Sequence, residues 1–264
     1  MKPMKKTAIV WVVVMILTLT ALACSGAADI PNLFATETPT PTMTFTPSPT
    51  FTPSPTATVT QTPSPTPAPS GSVTEEQPDG STIFTDYDNQ FRVVLPEDWL
   101  IIPFNKDEYT EVINELGKEN PQLAQAAEAF QNMDPDLFRL LAFNKNPDYV
   151  LDTYVSNLNI TSIPDPVMSS MPLAFVTGAL EDEFTKSGYK VLTSGVNELD
   201  NSHGVEVEYI DIEQKINGIK TMQRVIVFQS DDSLCVITIT SLPQFSKDVF
   251  AAGDAIAASI ELLK

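Results

Sequence analysis

Reactive side chains are scarce in this chain of 264 residues: one histidine, His203, and two cysteines, Cys24 and Cys235, stand beside 34 acids and 15 bases. Hydrolase chemistry ordinarily needs a base next to a nucleophile. His203 sits in Asp200-Asn-Ser-His-Gly204, a turn sequence in which an imidazole is expected to be solvated rather than catalytic. No Gly-x-Ser-x-Gly elbow and no phosphate-binding glycine loop occurs. Neither Cys-x-x-Cys nor His-x-x-x-His occurs, so no zinc site is expected. Asp86, Asp88 and Glu97 mimic the first, third and twelfth positions of a calcium loop. Phe91 holds that loop's glycine position, and residues 92–95 are strand-like, so no metal is expected there either. A paired-carboxylate mechanism has many acids to draw on, and nothing singles out a pair. The residues therefore assign no catalytic group, no metal ligand and no cofactor.

The formal charge is −19. Nucleic-acid affinity comes largely from Lys and Arg on phosphates, so this balance excludes nucleic acid as a partner. It also opposes adsorption to anionic lipid and favours a soluble, exposed surface.

The chain begins Met-Lys-Pro-Met-Lys-Lys, continues with an apolar run from Thr7 to Ala23, and then reaches Cys24. That is a basic n-region, an h-region and small residues before a cysteine. Ala21-Leu22-Ala23-Cys24 resembles the lipobox of bacterial lipoproteins, with Ala21 where that family prefers a branched residue. The resemblance implies a signal peptide over 1–23, cleavage before Cys24, and acylation of Cys24. The alternative is an uncleaved N-terminal anchor, for which the run is at the short limit. Either way the lysines hold the N-terminus inside, and the body is expected on the extracytoplasmic face of the cell membrane. If Cys24 carries lipid, Cys235 has no partner in the chain. Flanked by Leu234 and Val236, it reads as a buried, inert thiol. A Cys24–Cys235 disulfide is the weaker reading.

Residues 36–70 hold 10 Pro and 13 Thr, and Thr-Phe-Thr-Pro-Ser-Pro at 44–49 recurs at 50–55. Such a segment can form neither a packed core nor a ladder. It reads as an extended polyproline II spacer of about 3.1 Å per residue. Three parts follow: the signal peptide at 1–23, the lipidated cysteine with a Thr/Pro-rich disordered linker at 24–80, and a globular domain at 81–264.

Within that domain the clearest elements run from Gly204 to Ser241. Asn217-Gly218 is a strong two-residue hairpin signal. Symmetry about it sets Val207 opposite Phe228, Tyr209 opposite Ile226, and Asp211 opposite Arg224 on one side. Ile210 falls opposite Val225, and Glu208 opposite Val227, on the other. The next strand, Leu234 to Thr240, sends Cys235, Ile237 and Ile239 one way and Leu234 and Val236 the other. Both faces are apolar in the middle, so both need cover. Asp211–Arg224 reads as a cross-strand ion pair, and Trp99 and Tyr209 as core aromatics. Further strands are expected at 83–87, 91–95, 100–104, 138–143, 154–161 and 189–196. Helices are expected as a pair at 106–131, at 169–188 with the stripe Leu173, Val176, Leu180 and Phe184, and from Ser246 to the end. The fold class expected is α+β: an antiparallel β-sheet flanked by helices on both faces, an α/β/α sandwich, preceded by a disordered linker.

Phe91, Pro96 and Trp99, the later antiparallel meander and the closing helix after Ser-Leu-Pro-Gln-Phe245 resemble the PsbP-like superfamily, which includes PsbP proteins and DcrB-type lipoproteins. The resemblance implies that same sandwich over most of 82–263 and an accessory or binding role rather than one activity. It transfers no site residue. The function expected is a non-enzymatic, membrane-tethered extracytoplasmic binding or accessory module of unknown ligand, with an envelope protein as candidate partner. A carboxylate-dependent hydrolase and a divalent-cation-binding accessory domain stand as alternatives.

Overall fold

A computed structural model describes residues 70–102, 138–151, 154–193, 198–216 and 218–263. In chain order the strands are β1 (Ser72–Glu76), β2 (Thr82–Asp86), β3 (Phe91–Leu95), β4 (Trp99–Ile102) and β5 (Phe138–Asn144). A 3-10 turn at Pro147–Tyr149, β6 (Val150–Leu151), β7 (Tyr154–Val155) and β8 (Asn157–Pro164) follow. Then come helix α1 (Leu173–Lys186), β9 (Lys190–Val191), β10 (Val207–Ile216), β11 (Ile219–Gln229), β12 (Ser233–Ser241), helix α2 (Ser246–Ser259) and β13 (Glu261–Leu262).

The large sheet has the order β4-β5-β8-β12-β11-β10-β9, and every pairing in it is antiparallel. The β10–β11 register is the one the Asn217-Gly218 turn dictates, with Asp211 opposite Arg224 and Tyr209 opposite Ile226. Gly218 sits at φ +84°, a backbone region that L side chains rarely enter.

A second sheet, in the order β1-β2-β3-β13, is antiparallel as well. Its inner face carries Phe91, Val93 and Leu95 of β3, all fully buried, while Arg92 points outward. β1 is exposed along its whole length. Ser72–Glu76, expected as linker, thus forms a polar edge strand on β2.

The α/β/α sandwich expected from the sequence is not formed. The structure is mostly antiparallel sheet, with two α-helices among the described residues. The physical reason lies in the opening strands. β2 and β3 pair with one another, with β1 and with β13, so they leave the large sheet and become a layer of their own. That layer and α2 together enclose a core with Leu158, Ile160, Ile226, Phe228, Ile237 and Ile239. Phe91 contacts Phe84 and meets Phe228 edge-on at 5.2 Å between ring centroids. Helix α2 approaches through Gly253, where an added Cβ would lie 2.4 Å from the Ile239 side chain. The helix ends at Ser259, earlier than its apolar stripe implied. Glu261 and Leu262 turn extended and pair with Arg92 and Phe91.

On the opposite face α1 buries Leu173, Val176, Leu180 and Phe184 against Ile210, Ile212, Val225, Val227, Leu234 and Val236. Residues 154–161, expected as one strand, are split at Ser156 into β7 and β8. Strand 189–196 is reduced to Lys190–Val191, and 194–197 lie outside the described residues. The helical pair expected at 106–131 also lies outside them.

Candidate functional site

The residues that chemistry singled out do not converge. Cys24 lies outside the described residues. Cys235 is fully buried and in no disulfide, and burial pushes its thiol up to about 12, well away from a reactive thiolate. His203 is part-exposed, with Nδ1 3.8 Å from Glu261 Oε2. Trp99 is core, and Tyr209 is half-buried against it. Arg224 forks onto Asp211 at 2.8 Å through both Nε and Nη2, bonds Asp254 through Nη1, and lies over the rings of Tyr209 and Phe250. Burial works against its charge, but Asp211 and then Asp254 outweigh it and raise its pKa. This network ties β10 and β11 to α2.

Asp86, expected as a calcium-loop mimic, does a different job. Fully buried, it accepts from Arg139 Nε at 2.7 Å and Nη2 at 3.1 Å, from the backbone N–H groups of Asp88 and Asn89, and from Asn89 Nδ2. Arg139 also reaches Asp88 Oδ2 at 2.9 Å. Asp88 Oδ1 accepts from the Gly71 N–H, and this bond, with Arg139 in support, lowers its pKa. A carboxylate so fully engaged is a clamp between β2 and β5. Among the described residues no three His, Cys, Asp or Glu side chains are grouped to hold a metal ion.

A different arrangement appears on the α1 side of the large sheet. Side chains alternate between faces along each strand. Register therefore places Asn157, Asn159 and Thr161 of β8, Thr238 and Thr240 of β12, and Thr221 and Gln223 of β11 on the same face as Val225 and Val236. All seven are fully buried. Asn157 lies opposite Thr240, which lies opposite Gln223; Asn159 lies opposite Thr238. Gln223 Nε2 donates to Thr240 Oγ1 at 3.0 Å, and Asn157 Nδ2 donates to the Val155 carbonyl at 3.3 Å. Asn157 Oδ1, Asn159 Oδ1, Thr221 Oγ1 and Thr238 Oγ1 are closed to solvent and have no hydrogen-bond partner among the described residues.

This strip runs between two apolar zones. On one side are Leu141 and Phe143 of β5, opposite Asn159 and Asn157, with Ile102 opposite Leu141. On the other are Ile210, Ile212 and Val225 beneath α1. A buried group without a partner costs about 1–3 kcal/mol, and native proteins keep few of them. Four of them fall in this one patch. Carboxamides and hydroxyls donate and accept hydrogen bonds but do not titrate near neutrality.

At the α1 end of the same face stands Glu208, buried and opposite Val227. Burial pushes its carboxyl up; the Thr177 hydroxyl opposes this, and Glu206 and Glu198 reinforce it. Its Oε2 has no hydrogen-bond partner among the described residues.

Attention to reactive types missed the strip, because none of its residues is reactive. Its signal was the alternation itself: Asn157-Leu-Asn-Ile-Thr161 and Thr238-Ile-Thr240 place a polar residue at every second position.

No protein-family model and no curated protein matches the chain. Solved structures similar to it include cyanobacterial PsbP (CyanoP) from Synechocystis sp. PCC 6803, at 9% identity over 70% of this chain and 94% of that one, with a TM-score of 0.45. LpqN, involved in cell envelope biogenesis of Mycobacterium tuberculosis, is similar at 10% identity over 73% of this chain and 91% of that one, TM-score 0.39. The immunity protein TplEi of Pseudomonas aeruginosa is similar at 10% identity over 66% and 95%, TM-score 0.35. Likeness this distant carries no activity or ligand to this chain.

Proposed function

We propose that this chain is a non-enzymatic binding module, held outside the cytoplasmic membrane by an acylated Cys24 and spaced from it by the Thr/Pro-rich segment. One observation carries the binding reading: a closed strip of carboxamides and hydroxyls with four unmade hydrogen bonds. Such groups orient a guest and cannot shuttle its protons. The tether is supported by Ala21-Leu22-Ala23-Cys24 behind a basic and apolar leader. Among the described residues no helix is long and apolar enough to cross a membrane.

Two arms test this reading on the full-length chain. Wild-type protein in intact cells is expected in the membrane fraction, labelled by a fatty-acid analogue and cleaved by external protease. Cys24→Ala is expected to abolish the label. A protease-shielded chain in the cytosol would end the tether reading. In the second arm, detergent-extracted protein is compared with Asn159→Leu for retention of envelope small molecules by native mass spectrometry. A bound mass present in wild type and absent from the variant is expected; identical spectra without any bound mass would end the binding reading.

A further inference from the structure

We infer that the outward side of α1, with the loop that leads into it, docks a basic amphipathic helix of a partner protein. This surface is separate from the strip and does not rest on it. Apolarity is the first constraint. Val73, Val167, Phe175 and Leu192 are the exposed large hydrophobic residues among the described ones, and Phe175 leads them at 65%. Val167 lies in the loop before α1, and Phe175 in the first turn of the helix. Leu173, Val176, Leu180 and Phe184 face the sheet. At about 100° per residue, Ala174, Phe175, Gly178 and Ala179 fall on the other side, and all four are exposed. A helix side turned to water ordinarily carries charge; the first half of this one carries none.

Shape is the second constraint. Gly178 lies inside α1, where glycine weakens a helix relative to alanine. An added Cβ there would meet nothing within 4 Å, so packing of the chain on itself does not demand glycine. The notch at Gly178, flanked by Ala174 and Ala179, lets a second helix come close. The Phe175 ring beside it gives that helix an apolar surface to pack on.

Charge is the third, and it selects the occupant. The loop before α1 is tied to the β11–β12 turn: the Asp165 N–H donates to the Asp232 carbonyl at 3.0 Å, and Ser169 Oγ to the Asp231 carbonyl at 3.2 Å. Asp231 and Asp232, both exposed, thus stand at one end of the apolar patch. Asp182, one turn beyond Gly178 on the same side, stands at the other, with Lys186 at 3.9 Å. A second copy of the chain would set acids against acids, and an anionic lipid surface would meet the same repulsion. A helix with Lys or Arg beside an apolar anchor suits both the acidic rim and the exposed ring.

The test is fluorescence anisotropy of a labelled Leu/Lys amphipathic helical peptide, titrated against the full-length chain in neutral-lipid nanodiscs with empty nanodiscs subtracted. Wild type is compared with Phe175→Ser, Gly178→Leu and the pair Asp231→Asn with Asp232→Asn. All these positions are exposed, so the variants should fold, and Gly178→Leu should raise the Tm. The peptide is expected to bind wild type and to bind Phe175→Ser about tenfold more weakly, as loss of a central aromatic anchor does. Gly178→Leu, which fills the notch, and the Asp pair should each weaken it about fivefold. A Leu/Glu peptide of the same pattern is expected not to bind. Equal affinity in wild type and Phe175→Ser would overturn the inference, leaving only attraction of a basic peptide to an acidic chain. Absence of binding to wild type, or preference for the Leu/Glu peptide, would overturn it too. Dimers of the wild-type chain that are lost in Phe175→Ser, read by sedimentation, would give the surface to a second copy and overturn the partner named here.

Discussion

Strand β12 shows the two faces of the large sheet side by side. Cys235, Ile237 and Ile239 enter a dry core closed by a second sheet and α2, where aromatic rings meet edge to face. Thr238 and Thr240, one residue away in each case, enter a strip of amides and hydroxyls left with bonds to make. Both faces are equally buried, yet burial does opposite things. On the dry face it stabilises at roughly 25 cal/mol per Å² of apolar surface. On the strip it desolvates polar atoms without replacing their water bonds. The domain tolerates that cost on one half-face, which is the physical reason to look for function there rather than at His203 or Cys235.

The contrast can be broken by substitution. The largest effect is expected from Phe91→Ala in the dry core, a loss of about 3–5 kcal/mol in urea unfolding; a loss below about 1 kcal/mol would mean that the second sheet does not seal that face. Leu180→Ala, beneath α1, should cost about 2–3 kcal/mol by the same measurement, since α1 covers only part of its face.

Glu208→Gln sharpens the picture through pH. The folded-state pKa of Glu208 lies above its ordinary value, so as pH rises the unfolded chain releases its proton first. Stability is then greatest below the ordinary carboxyl range and declines as pH rises through it towards the raised value. Glu208→Gln should remove this decline. Variant and wild type should match near pH ~3 and differ in favour of the variant at neutral pH. Equal stabilities at both pH values would contradict the burial described for Glu208.

The smallest effect concerns β1. The lowered pKa of Asp88 means that its support is present above the ordinary carboxyl range and lost as pH falls through the lowered value. Asp88 is part-exposed, so Asp88→Asn should cost less than about 1 kcal/mol globally. Exchange of the β1 amides should nevertheless quicken, while those of β12 stay unchanged.

The sequence made some of this legible and hid the rest for physical reasons. The turn at Gly218 determines register by symmetry, so the Asp211–Arg224 pair could be read before any coordinates. The apolar middle of β10, β11 and β12 required cover, but not what kind. Whether a short strand such as Phe91–Leu95 joins the main sheet or roofs it depends on partners distant in sequence, among them Glu261 and Leu262. The same non-locality hid the Asp86–Arg139 clamp, whose members are 53 residues apart. The strip lay in plain view as alternation in 157–161. What could not be read was that β8 and β12 are neighbours, which turns two polar stripes into one patch.

The most direct measurement compares Thr238→Val with Ile239→Thr by urea unfolding, because these adjacent residues face opposite sides of one strand. Valine at 238 removes a buried hydroxyl that has no partner among the described residues, so stability should be unchanged or higher by about 1 kcal/mol. Threonine at 239 puts an unpaired hydroxyl into the dry core and should cost about 2–3 kcal/mol. Comparable losses from both substitutions would show that the two faces are alike and that no polar strip exists to be filled.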